Sequence, residues 1–226
     1  MQLPVSHKIL NQQFWLTTDR TLFWEEEKAL IVSDLHFGKT GHFRKSGIAI
    51  PPLVYKEDLQ RLVVQIQYFQ PRELIIVGDM FHSAANKELE LFLKWRSDLS
   101  DINIRLIRGN HDILKDDWYE NAGIQLSQQT LSMQHFHFVH DISDQLNRKE
   151  GFVKNVSKSY FFSGHIHPGI RIQGSGKQSL CFPCFYFGKK YAVLPAFSRF
   201  TGVAMIYPED GEQVFAIVNQ ALIRLS

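Results

Sequence analysis

Residues 73–79, ELIIVGD, lead through KELELFLKWRSDL (87–99) to NIRLIRGNHD (103–112). The outer two are short apolar runs of the kind a strand buried on both faces shows, and each stops abruptly in polar residues. The middle stretch reads as a helix. Strand, helix and strand in that order imply a right-handed crossover and parallel pairing. Upstream the unit recurs: ALIVSDLH (29–36) is a third buried run, followed by PPLVYKEDLQRLVVQIQYF (51–69) with Tyr55, Leu59, Leu62, Val63, Ile66 and Phe69 at helical spacing and Pro51–Pro52 at its start. Before it stand two short β segments, QFWLTT (13–18) and TLFWEE (21–26), and KDDWYENAG (115–123) predicts a short helix. After residue 124 the runs LSMQHFHFVHD, KSYFFSGHIH, YAVLPAFS, GVAMIY and EQVFAIVNQALIRL are β-type and joined by polar turns. The pattern predicts two sheets packed face to face with helices outside.

A chain of 226 residues suits one domain over 1–226, large enough to bury a core without disulfides or structural metal. Any metal would then serve chemistry. No apolar run reaches the roughly 18–20 residues of a membrane helix, so no membrane partner is expected. The start MQLPVSHKILNQQFW lacks the charged and apolar parts of a secretion signal, which points to the cytoplasm. Two cysteines agree with a reducing compartment. A formal charge of +2 neither supports nor excludes a nucleic-acid partner. There is no internal repeat, low-complexity segment or Gly/Ser/Pro-rich linker.

The polar residues at the strand ends carry the chemistry. SDLHFG supplies Asp34 and His36, VGDMFHS supplies Asp79 and His82, and RGNHD supplies Asn110, His111 and Asp112. FVHD adds His140, and SGHIHPG adds His165 and His167. In open α/β sheets, ligands bind in the crevice beyond the carboxyl ends of the strands, where all five segments converge. Residues i and i+2 on a strand share a face, so Asp34/His36 and His165/His167 can each project as a pair. A strand-end Asp often caps a helix and Gly-Asn is a common turn, so one segment alone would mean little. Five in succession point to metal. Carboxylate, imidazole and amide oxygen without thiolate suit Mn, Fe, Zn or Co, and a set this large suggests two ions.

The ordered motifs D-x-H, GD, GNHD, a lone strand-end His and GHxH, over residues 34–167, resemble the calcineurin-type metallophosphoesterases. The resemblance implies a four-layer α/β/β/α sandwich with two mixed sheets and two divalent ions. It assigns Asp34, His36, Asp79 and His167 to one ion, and Asp79, Asn110, His140 and His165 to the other, with Asp79 bridging. GKTGHFRKSGIAIP (38–51), GDMFHS (78–83) and LPAFSRFTG (194–202) are similar to the bacterial DNA ligase-associated metallophosphoesterases of the PdeM type. Two departures from the wider superfamily stand out: His82 where many members have Asp, and Asp112 where many have Glu.

By this resemblance the two metals clamp phosphate oxygens and activate water, His111 donates a proton to the leaving oxygen, and Asp112 orients that imidazole. His82, Arg44, Arg199 and His42 are candidate substrate contacts. Cys181 and Cys184, in CFPCF, lack a second pair and are expected in the core. The resulting expectation is a dinuclear-metal phosphodiesterase acting on DNA, in particular a single-strand endonuclease of DNA repair. Manganese is the favoured ion over Fe, Zn, Co or Ni, and association with a DNA ligase and helicase is implied. A phosphomonoesterase or nucleotide pyrophosphohydrolase is the alternative. A non-catalytic scaffold of the same fold would need missing ligands, and every position is filled.

Overall fold

The computed structural model describes residues 2–37, 53–82, 87–146, 159–174 and 178–225. The stretch containing His42 and Arg44 therefore lies outside the described residues. The first sheet runs in sequence order: β1 (Val5–Ile9), β2 (Gln12–Leu16), β3 (Leu22–Trp24), β4 (Ala29–Val32), β5 (Glu73–Val77), β6 (Asn103–Ile107) and β7 (Ile124–Ser127). β1 to β4 pair antiparallel and β4 to β7 parallel. The helices α1 (Leu53–Phe69), α2 (Lys87–Asp98) and α3 (Asp116–Asn121) occupy the three crossovers. None of the described helices is long and apolar enough to cross a membrane.

The second sheet is also mixed. β8 (Thr130–Met133), β9 (Phe136–Val139), β10 (Tyr160–Ser163), β11 (Pro168–Gln173), β12 (Ser179–Phe187), β13 (Tyr191–Val193) and β14 (Ala204–Met205) lie in the order β14-β11-β12-β13-β10-β9-β8. β15 (Gln213–Val218) pairs with β12, and β16 (Ala221–Arg224) with β15. β9, β10 and β13 are parallel to one another. Two runs that the sequence presents as single β segments are hairpins. One turns at Gln134 (φ 52°), the other at Asn219 and Gln220 (φ 46° and 65°), consecutive left-handed residues whose twist suits a tight β-turn.

Alternation along the central strands divides the core into two layers. Leu30, Val32, Leu74, Ile76 and Leu106 face the helices, meeting Leu62, Ile66, Phe92 and Tyr119. Ile31, Ile75, Val77 and Ile107 face the second sheet, meeting Phe136, Phe138, Phe162, Phe185 and Phe215. Strands buried on both faces need no polar alternation, which is why they read as continuous apolar runs. β1 carries no strong strand signal in its sequence, because VSHKI alternates weakly. It forms as a hairpin with β2, turning at Leu10 and Asn11, and packs through the His7 ring 4.2 Å from that of Phe187. Burial, helped by Arg224, pushes the His7 pKa down to about 4.

The cysteine expectation holds for Cys184 alone, since Cys181 is exposed. Side chains three apart on one strand point to opposite faces, so the two cannot share an ion or a disulfide here. Phe136 is fully buried, packing edge-on to Phe14 (5.3 Å) and Trp24 (4.9 Å) across the sheet interface. Phe136→Ala should lower stability by about 3–5 kcal/mol in urea unfolding. A loss below about 1 kcal/mol would mean that this interface does not hold the sheets together.

Candidate metal centre

Each candidate ligand lies just past a strand rather than in it. Asp34 and His36 follow β4, Asp79 follows β5, Asn110 follows β6, His140 follows β9, and His165 and His167 follow β10. Asp34, His36, Asp79, His165 and His167 all take left-handed backbone angles, φ 53°, 48°, 52°, 68° and 51°. The expected i, i+2 strand geometry is thus corrected: convergence comes from left-handed reversals at the strand ends. Such angles cost about 1–3 kcal/mol each for residues other than glycine and persist only where the surroundings impose them. Here backbone hydrogen bonds impose them. The amides of Asp34 and His36 donate to the carbonyls of Gly78 (3.1 Å) and Asp79 (2.9 Å), and that of Gly164 to His140 (3.0 Å). A side chain at Gly164 would collide with the Ser33 hydroxyl and the Asp34 carboxylate, so the two sheets approach closely only through glycine.

The side chains gather into two groups, Asp34/His36/His167 and Asp79/His140/His165, with the donor atoms of each within 4.8 Å of one another. In the first, His167 Nε2 lies 3.4 Å from Asp34 Oδ1 and 3.4 Å from His36 Nε2. In the second, His140 Nε2 lies 3.5 Å from Asp79 Oδ1, 3.1 Å from His165 Nδ1 and 3.1 Å from Asn110 Oδ1. Asp79 Oδ2 faces the other way, 4.0 Å from His36 Nε2. The two oxygens of one buried carboxylate thus address both groups.

The donor set fits divalent cations on its own chemistry. The Val77 carbonyl can only accept, so His140 Nδ1–H donates to it at 3.2 Å and leaves a lone pair on Nε2 of the neutral ring. That lone pair faces a carboxylate oxygen, an amide oxygen and another imidazole nitrogen. Such a convergence of acceptors requires positive charge among them. The electrostatics agree. Burial alone would raise the Asp79 pKa, but His140, the His111 amide and His36 outweigh it and pull it down to about 2. Burial opposes charge on His140, and Asp79 with Asp34 overcomes it, raising that pKa to about 9, so a proton on the ring supplies the positive charge wherever an ion does not. Asp34 is held by the Ser33 hydroxyl at 2.5 Å on Oδ2 and by the His165 amide, which is shared between Oδ2 (3.1 Å) and Oδ1 (3.3 Å), while Oδ1 also faces His167 Nε2 at 3.4 Å.

His111 Nε2 lies 4.0 Å from Asp79 Oδ2, on a side chain 41% exposed. Its ring packs 4.4 Å from that of His82 and 5.4 Å from that of His36, so the structure brings His82 to the mouth of the site. Asp112 requires a correction, because its carboxylate does not orient the His111 ring. Oδ1 accepts the amides of Met80 (2.9 Å) and Phe81 (3.1 Å), and Oδ2 accepts that of Gly109 (2.9 Å). It ties the loop after β6 to the loop after β5, and burial raises its pKa to about 6 in spite of those amides. Arg199 is not in either cation group; its guanidinium lies 3.9 Å from Asp19.

Two contributors had no sequence signal of their own. Asp141 Oδ2 sits 3.9 Å from His165 Nε2, on the ring edge away from His140. Ser33 lies beneath Asp34. The Asp141 placement depends on the parallel register Tyr160↔Phe136 of β10 and β9, and that of Ser33 on β4 and β5 being neighbours, since its hydroxyl also lies 2.9 Å from the Val77 carbonyl.

The family model for calcineurin-like phosphoesterases matches residues 28–173. The solved structure of Pseudomonas putida nuclease MPE superposes with a TM-score of 0.78 at 26% identity, over 98% of each chain. None of the curated protein sequences is a significant match. Because the family match runs from the residue before β4 to the end of β11, it takes in every side chain that converges at the strand ends, and the chain belongs to the calcineurin-like phosphoesterase family.

Proposed function

We propose that the protein is a dinuclear-metal phosphodiesterase cutting DNA internally, preferentially single strands, in DNA repair. The carrying observation is the Asp79 carboxylate, turned to two cation groups at once, within 4.0 Å of His111 Nε2. Asp34, His36, Asp79 and His167 would hold one ion, and Asp79, Asn110, His140 and His165 the other. When bound, two divalent ions, manganese for preference, supply Lewis-acid charge for phosphate oxygens and acidify water toward a pKa of about 7.

The chain's own residues do the rest. His111 carries a proton on Nε2 and delivers it to the leaving oxygen as the P–O bond breaks. His82, packed on His111, bounds the space for the phosphate. Asp112 fixes the distance between the His111 and Asp79 loops, and Asp141 steadies the His165 ring. The DNA reading is supported by the likeness to a nuclease and by the chain past His167, whose strands β11 to β16 all belong to the second sheet. The ligase-type strings extend the reading to an association with a DNA ligase and helicase.

Circular single-stranded DNA, which has no ends, should be cut with Mn²⁺, and rising salt should slow the cut as phosphate contacts weaken. Intact circles beside rapid hydrolysis of phosphomonoesters or nucleotide pyrophosphates would replace this reading with the small-substrate one. Elemental analysis should find both ions reduced in Asp79→Asn. In Asp141→Asn only one ion should weaken, by about 10–100-fold in affinity, as lost partners of metal-bound histidines typically cause; unchanged binding would remove Asp141 from the site. His111→Ala should keep both ions and lose about 10²–10⁴-fold in rate, with less loss on nitrophenyl esters, whose leaving groups need no proton. Equal losses on all leaving groups would exclude proton donation.

A further inference from the structure

The segment from Pro195 to Thr201 is held from two sides. Toward the first cation group, the Phe197 amide donates to the Ser33 carbonyl (2.7 Å) and the Ser198 amide to that of Asp34 (3.2 Å). Away from it, two arginines bind three successive carbonyls. Arg20 Nη1 donates to Ala196 (2.9 Å) and Ser198 (2.7 Å), and Arg61 Nη2 donates to Phe197 (2.6 Å). The Arg61 guanidinium also lies 4.2 Å over the Phe197 ring. The turn closes on itself through Phe200 N to Ser198 Oγ (3.3 Å) and Thr201 Oγ1 to the Ser198 carbonyl (3.1 Å).

On this fixed mount the next two side chains are turned outward. Arg199 has a side chain 52% exposed, with Asp19 at 3.9 Å as its ion pair. It stands between two pockets of about 370 and 310 Å³ that share Asp19. Arg20 and Arg61 line one each, and both already bind backbone carbonyls, which leaves Arg199 as the outward guanidinium beside the carboxylates of Asp19 and Glu57. Phe200 is 40% exposed. Two residues of chain reach at most roughly 7 Å, so both lie near the backbone bonded to Asp34.

We propose that Arg199 and Phe200 form a nucleotide subsite beside the cation groups. Arg199 grips a backbone phosphate with its planar fork, and Phe200 offers a ring face to an unpaired base. Bases inside a duplex are already stacked, so the occupant is single-stranded nucleic acid. This rests on the polymer reading of the preceding subsection.

The test compares cleavage of a single-stranded DNA oligomer, an abasic oligomer of equal length, and bis(4-nitrophenyl) phosphate, a diester too small to span the subsite. Arg199→Gln should lower the oligomer-to-small-diester ratio of kcat/KM about tenfold and flatten the salt dependence by a slope of roughly one, with Arg199→Lys restoring part of both. Phe200→Ala should lower the ratio about tenfold through KM on the normal oligomer and leave the abasic ratio unmoved. Unmoved ratios in both variants, or equal losses on all three substrates, overturn the subsite while oligomer cleavage by the unaltered protein keeps the polymer reading. If that protein hydrolyses the small diester and leaves the oligomer whole, the polymer reading itself falls.

Discussion

Asp79 is the constraint around which the rest is arranged. It follows β5, an inner strand of the parallel set, is 2% exposed, and keeps a carboxylate where desolvation costs several kcal/mol unless charge and hydrogen bonds answer it. The His111 amide, the His140 ring and His36 answer it from three other strand ends. Because its oxygens diverge, one carboxylate links two groups that belong mainly to different sheets. The first sheet brings Asp34, His36, Asp79 and Asn110, and the second brings His140, His165 and His167.

That meeting explains the unusual backbone. An extended strand end would carry its side chains past one another, whereas a left-handed residue turns them inward over a short distance. Five such residues are affordable because the loops cross-bond each other, amide to carbonyl, and because Asp112 gathers three amides from two loops. The interlayer core of Phe14, Trp24, Phe136, Phe138 and Phe162 holds the sheets at the separation those bonds require. Packing remote from the site therefore sets the distance between imidazoles that face each other at 3.1–3.4 Å.

Much of this was legible beforehand, for local reasons. Strands buried on both faces announce themselves as apolar runs, and a run that stops at Asp, Asn or His leaves those residues at the strand end. The order of Asp34, His36, Asp79, Asn110, His140, His165 and His167 along the chain was therefore readable with the two-sheet α/β class. β1 and the two hairpin turns were not, because VSHKI has no strong period and because positive φ at Gln134, Asn219 and Gln220 is not written in residue type as it is for glycine.

By itself, the sequence determined which residues can carry charge and coordination, and that they sit where apolar strands end, since both follow from side-chain chemistry and short-range periodicity. Tertiary structure decided who faces whom. Asp112 has the residue type to orient His111, yet its oxygens are taken by Gly109, Met80 and Phe81, because backbone amides of two loops arrive there first. Asp141 reaches His165 only because β9 and β10 pair in parallel, and Cys181 and Cys184 part company because three residues along a strand reverse the face. Contacts between distant segments depend on strand order and register, and these are fixed by the packing of whole sheets rather than by any local motif.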